Sequence, residues 1–240
     1  MKTIRALFIS LLMLVFVTDL FAQDESSFGG FLASPVGDFK STNRSSGGFA
    51  KPGGGIVFDS KYTSGLLPAN WHFYFHSTYQ WNDMDTEALG KAFTEALGYR
   101  TEVSDSKFSP ILTTVGPAYD FRLSKNIVFE LKAGIGIMFN NTKAFTVKVY
   151  DENNSVIVDQ LINFDNKLAF AYNGGAEIKF EIVKNQFAIT LFSDYTFAKQ
   201  TTKISSSVGS TTSLVDSFQK LEYLNTGIKF VLVNKTVAPK

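Results

Sequence analysis

The 240-residue chain has no cysteine. That excludes a disulfide framework, a thiolate metal site, a cysteine nucleophile and a lipid-anchored form. Histidine is nearly missing as well, with 2 residues, and so is any excess of one charge: Lys+Arg 23 against Asp+Glu 22 give a formal net charge of +1. Such a surface offers no basic field to hold a phosphate backbone, so no nucleic-acid partner is expected. Charged residues make up 19%, below the roughly 25% usual for soluble domains. After residue 22 no stretch approaches the ~18 consecutive apolar residues of a transmembrane helix. What the chain has in plenty is aromatic residues, at 15% with Phe 24, and Gly 18.

The first residues read as an export signal: a basic head at Lys2 and Arg5, an apolar run from Ala6 to Val17, and a polar break at Thr18 and Asp19. The run is 12 residues long, well short of the ~20 needed to span a bilayer as a helix. Cleavage is expected after Ala22, which divides the chain into a signal at 1–22 and one domain at 23–240. Removing the signal leaves 21 charges of each sign, so the mature chain has no charge-driven preference for a partner.

Beyond it, period-two alternation recurs. From Ile127 to Phe139 one face carries Ile127, Phe129, Leu131, Ala133, Ile135, Ile137 and Phe139, while the other carries Val128, Glu130, Lys132, Gly134, Gly136 and Met138. Successive side chains on a strand point to opposite faces, so one face is wholly apolar and the other small or charged. Leu168 to Ile182 repeats the pattern. Weaker versions lie at Trp71 to Trp81, Ile111 to Arg122, Phe187 to Lys199 and Leu221 to Val233, with interrupted ones at Phe28 to Phe39 and Phe49 to Tyr62. These make eight candidate strands. Short connections at Thr63 to Pro68, Leu123 to Asn126 and Val183 to Gln186 alternate with long polar ones at Lys40 to Gly48, Asn82 to Lys107, Asn141 to Asn166 and Gln200 to Ser217, so the short ones share one end. Within the second long connection, Leu89, Ala92, Phe93, Ala96 and Leu97 fall at helical spacing. A helix over Thr86 to Leu97 is predicted, with Asp85 as N-cap and Gly98 as stop. It reads as a local cap on the barrel rim in preference to a partner-binding or plugging element.

Alternation alone leaves the polarity open, since soluble and membrane barrels alternate in opposite senses. Three features favour the polar face inward: small Gly134 and Gly136 suited to a narrow interior, aromatics such as Trp71, Trp81, Tyr119, Phe121, Phe129 and Phe139 near strand ends, and short turns opposite long loops. The expected fold is therefore all-β, a single eight-stranded antiparallel up-and-down transmembrane barrel.

The signal ending Leu20-Phe21-Ala22-Gln23, the opening Gly29-Gly30-Phe31-Leu32-Ala33-Ser34-Pro35-Val36-Gly37-Asp38-Phe39 and the closing Leu224-Asn225-Thr226-Gly227-Ile228-Lys229-Phe230 resemble the small outer-membrane β-barrel proteins of Gram-negative bacteria, the OmpA/OmpX-like porin superfamily. The resemblance covers essentially residues 23 to 233. It implies residence in the cell outer membrane, with short periplasmic turns, long extracellular loops, outer-membrane lipid as the surrounding partner and a protein or surface ligand at the loops. Many such proteins end on an aromatic residue read by the insertion machinery. This chain instead continues through 234–240, so Phe230 or an internal equivalent must serve.

With that polarity the charges pointing into the lumen are Asp59, Lys61, Asp120, Arg122, Glu130, Lys132, Glu177, Lys179, Glu181, Asp194 and Lys229. Interleaved opposite charges in a narrow lumen satisfy one another, whereas an ion-selective pore would concentrate one sign. A plugged, salt-bridged core is expected, with a narrow transport pore as the alternative and a secreted soluble barrel around an apolar ligand as a further one. On a strand His72 and His76 share a face but lie about 13 Å apart at roughly 3.3 Å per residue, too far to share a metal. No Gly-x-Ser-x-Gly, His-Glu-x-x-His or glycine-rich phosphate loop is present, and Gly53-Gly54-Gly55 reads as a bend or bulge. No catalytic residue, metal or cofactor is expected. The expected role is non-enzymatic, structural or in surface-loop recognition, for a chain taken as a monomer.

Overall fold

The computed structural model describes residues 24–43, 47–63, 67–208 and 211–233. The expected signal at 1–22 and the tail at 234–240 lie outside them. Eight strands alternate up and down: β1 (Glu25–Pro35), β2 (Ala50–Tyr62), β3 (Trp71–Met84), β5 (Lys107–Arg122), β6 (Ile127–Thr142), β9 (Ala169–Val183), β10 (Phe187–Val208) and β11 (Thr211–Val233). Each pairs antiparallel with the next in that order, and β11 pairs back onto β1 from Glu25↔Val233 to Pro35↔Tyr223. The ring is closed. Closure gives every wall backbone group a partner without water, the condition for strands to cross hydrocarbon.

Short turns join the ring strands at one end, and left-handed asparagines at Asn70 (φ 70) and Asn185 (φ 55) shape two of them. In a third, the Leu123 and Ser124 N–H groups both donate to the Ile127 carbonyl. The opposite end is elaborate. Three further strands, β4 (Thr101–Val103), β7 (Phe145–Tyr150) and β8 (Val156–Asn166), extend the sheet sideways from β10 in the order β10, β8, β7, β4. Helix α1 (Gly37–Lys40) follows β1, and α2 (Thr86–Leu97) precedes β4 and packs beside it.

Two expectations are corrected here. The strand expected over Phe28 to Phe39 stops at Pro35, because Gly37 takes φ 55 and turns the chain into α1. The connection expected at Gln200 to Ser217 is strand: β10 and β11 stay paired up to Val208↔Thr211. At roughly 3.3 Å per residue the 23 residues of β11 extend about 75 Å. Even tilted ~40° the hairpin rises well clear of a belt ~25 Å tall. Outside hydrocarbon an outward face needs no apolar residues, so this stretch lacks the alternation that marks the wall.

Helix α2 occupies the bounds its spacing predicts. The Asp85 carboxylate accepts from the Ala88 N–H at 3.1 Å, and Gly98 closes the helix at φ 74.

Around the wall, large apolar side chains point outward and are exposed, among them Phe28, Leu32, Ile111, Val115, Ile135, Phe170, Ile178, Leu191 and Phe230. Aromatic pairs border the belt: Trp71 with Tyr119 at 5.1 Å and Tyr119 with Phe121 at 4.6 Å near the short turns, Tyr79 with Trp81 at 6.0 Å toward the other end. An exposed apolar band between aromatic girdles is a surface made for lipid. It is also the reverse of a soluble ligand-binding barrel, whose apolar face points in.

Candidate functional site

Each ring strand turns alternate residues inward, and the side chains meeting there sort into layers. Nearest the short turns, Lys61 pairs with Glu130, with Asp120 at 3.3 Å and with Glu25 at 3.7 Å, while Lys179 holds Glu25 at 2.6 Å. The His72 Nε2 lies 3.0 Å from Asp120. One layer further in, Lys132 reaches Glu177 at 2.5 Å, Asp194 at 3.0 Å and Asp59 at 3.7 Å. Lys229 bridges Asp59 and Glu177, the latter at 2.5 Å. The His76 Nδ1 is 2.6 Å from Asp59, and its Nε2 faces Asp194 at 4.0 Å. Aromatic faces border the ammonium groups, with Phe192 5.0 Å from the Lys229 nitrogen and Tyr74 5.6 Å from that of Lys132.

The expected residues thus fall into place unevenly. Asp59, Lys61, Asp120, Glu130, Lys132, Glu177, Lys179, Asp194 and Lys229 converge in the lumen. Arg122 and Glu181 share its parity but lie at the mouth, paired at 3.5 Å with the Arg122 side chain 60% exposed, because β5 ends at Arg122. Glu25, His72 and His76 are the members that sequence reasoning missed. Glu25 precedes the apolar alternation that marks β1, whereas the histidines carry a usable signal in their even-numbered parity with Tyr74 on the inward face. Six carboxylates therefore face four ammonium groups and two imidazoles.

Above the charges come amides: Asn225 donates to Gln80 at 3.3 Å, Gln80 to Asn82 at 3.2 Å, and Asn82 to the Lys51 carbonyl at 2.9 Å. Above them the filling turns apolar. Phe39, carried in by α1, is 0% exposed and meets Phe108 at 4.9 Å and Tyr223 at 5.0 Å, both edge-on. Leu112, Met138 and Leu221 join it, and Leu89 and Phe93 of α2 pack down on the same cluster with Phe145, Val147 and Val149 of β7. The long connections thus fold together into a cap whose underside continues the lumen core. The space left in the charged region is about 20 Å³, room for about one water.

The arrangement suits cohesion better than chemistry. Its carboxylates are held by ammonium groups drawn from several strands, and no group of three ligating side chains placed to hold a metal occurs among the described residues.

No family model matches this chain, and no curated protein matches it. Solved structures that resemble it include Neisserial surface protein A, 9% identical over 88% of this chain and 96% of that one at TM-score 0.44. A major outer membrane protein from Thermus thermophilus is 12% identical over 87% and 99% at 0.46, and the outer membrane protein OprG from Pseudomonas aeruginosa 11% over 89% and 98% at 0.45. The barrel itself rests on the strand pairing described above.

Proposed function

We propose that the chain is a non-enzymatic outer-membrane β-barrel whose filled lumen is a structural core and whose folded cap presents a recognition or adhesion surface. The observation that carries this reading is the continuity of the filling, from the Lys61 layer at the short-turn mouth through Lys132 and the amides to Phe39 under the cap. A pore needs an unbroken water path, and an ion-selective one a surplus of one charge along it. Neither suits a lumen of interleaved charges closed by an apolar plug.

The cap surface is ordered by its own ladder. Arg100 lies over the Tyr150 ring at 4.8 Å, and the Tyr150 hydroxyl donates to Glu102 at 2.8 Å. Leu161, Leu214 and Phe218 stand exposed on the neighbouring strands. Recognition commonly rests on such connections held by a rigid wall.

Conductance in planar bilayers tests the core of the proposal. The reading expects a silent membrane once insertion is verified by a heat-dependent gel shift. Steady openings well above leak would make transport the function. For the surface role, cells displaying the chain should lose adherence when Leu214→Ser and Phe218→Ser are combined; unchanged adherence would remove this patch from it.

A further inference from the structure

The lipid-facing wall carries a hollow of about 860 Å³ lined almost wholly by apolar groups. Its floor is a row of small outward residues on adjacent strands. Phe73 of β3 faces Pro117 of β5, which lies beside Ala133 of β6 between the Val115↔Ile135 and Ala118↔Lys132 pairs; Ala133 faces Gly174 of β9, and Gly174 faces Tyr195 of β10. Tyr62, Phe73 and Phe75 wall one end and Tyr172 and Tyr195 the other.

The barrel's own packing does not require the dent. A Cβ at Gly116, Gly136 or Gly227 would run into the carbonyl oxygen of Ala133, Thr113 or Gly30 respectively, so those glycines are needed by the wall itself. At Gly174 the nearest atom would be the Lys132 carbonyl oxygen at 3.7 Å. A side chain fits there, and its absence shapes only the outer surface.

We propose that this hollow holds one acyl chain of a phospholipid from the leaflet on the short-turn side. The proposal rests on the reading of the belt as lipid-facing. The hollow lies within that belt and is continuous with it, so its occupant is hydrocarbon. Its reach selects a single chain. Four interstrand steps of about 4.8 Å from Phe73 to Tyr195 give a path of ~19 Å. With strands tilted ~40° the path climbs ~12 Å, close to the ~15 Å of one leaflet's hydrocarbon. Its lower end adjoins the Trp71–Tyr119 girdle, where a headgroup sits at the interface. Aromatic rings at both ends then hold the chain against a floor too shallow to expel it, since a void against lipid forfeits contact on one side.

The test is native mass spectrometry of the full chain, expressed in a Gram-negative host and extracted in mild detergent. One phospholipid per barrel is expected on the unaltered protein. G174L and A133L, which fill the floor, should each reduce that adduct several-fold. G30L should keep it: Gly30 also points outward on β1, outside the hollow, and a Cβ there has its nearest neighbour at 3.7 Å. An unaltered chain with no phospholipid adduct, one that carries a lipid A species instead, or equal retention in every variant overturns the site. A heat-dependent gel shift of each preparation separates outcomes: its loss in the unaltered chain strikes the membrane reading, whereas its presence without bound lipid strikes only this proposal.

Discussion

Lys132 concentrates the energetics of the lumen. It is flanked by Glu177, Asp194 and Asp59, all inward and buried. A buried pair replaced whole by apolar groups costs little, but removing one partner leaves an uncompensated charge worth about 3–5 kcal/mol. Lys132→Met should therefore lower the unfolding free energy of the folded barrel by that order, read from a denaturant series, and combining it with Glu177→Met should recover part of the loss. A double-variant loss equal to the sum of the Lys132→Met and Glu177→Met losses would mean the charges act independently. In contrast, Lys91 and Glu87 at 2.7 Å on the surface of α2 are a solvated i, i+4 pair, and their loss should leave the denaturant midpoint essentially where it was.

On the cap, the Tyr150 hydrogen bond, joined by Arg100, holds the Glu102 carboxyl below its ordinary 4.5. The same bond to Glu102 pushes the Tyr150 phenol above its usual 10.0. A lowered carboxyl pKa contributes stability that is present above the ordinary value and lost as pH falls through the folded one. The raised phenol contributes below pH 10 and loses its contribution as pH rises past its folded value. NMR titration of ring-labelled tyrosine should show Tyr150 ionising at lower pH in Glu102→Gln, and no change would break the assignment. The parity that reveals Lys132 and Glu177 in the sequence also covers His72 and His76, which spacing alone presents as a failed metal pair. Glu25 lies ahead of the alternation that marks β1: Lys61 stands opposite it on β2, whereas Lys179 reaches it from β9 only because the ring closes.

Among elements, those in contact with lipid are the ones their sequences announce. Strand β6 alternates without a fault because every outward residue from Ile127 to Phe139 faces hydrocarbon. Helix α2 is equally plain, since Leu89 and Phe93 must share a face to reach the apolar cluster and Asp85 and Gly98 terminate it. Strands β4, β7 and β8 and the upper β10–β11 hairpin stand clear of the membrane, and there Thr, Ser and Lys serve as well as Ile. Phe145, Val147 and Val149 of β7 and Val158, Ile162 and Phe164 of β8 keep a period-two signal in that region, each over a span too short or too interrupted to separate from a loop. Because α2 belongs to the cap rather than the wall, Asp85→Ala should weaken it by about 1 kcal/mol. Hydrogen exchange should quicken over Thr86 to Leu97 while the amides of β6 and β9 stay protected. Faster exchange in the wall would show that cap and barrel unfold as one unit.

For the whole molecule, closure sets what each surface must be. A ring with no free edge in the membrane leaves two surfaces to satisfy, an outer one against lipid and an inner one that eight strands make too narrow for anything but side chains. The sequence shows both through alternation, but not that the upper lumen is filled by residues from α1, α2 and β7, since that depends on how separate connections fold over one another. An outward Ile135→Arg should cost up to about 2–4 kcal/mol near the bilayer midplane, measured by refolding into lipid vesicles across a denaturant series, and a neutral result would place Ile135 outside the hydrocarbon. The absence of cysteine opens the most direct measurement: single substitutions Phe129→Cys, Ile135→Cys and Ile137→Cys on one face of β6, and Val128→Cys and Met138→Cys on the other, each tested in reconstituted bilayers with a lipid-phase quencher and a water-soluble thiol reagent. An apolar wall around a filled lumen predicts that the first three report lipid and the last two report neither lipid nor water. Water labelling of the odd positions would reverse the polarity of the barrel, and water labelling of Val128→Cys and Met138→Cys would reveal a channel where a core is described.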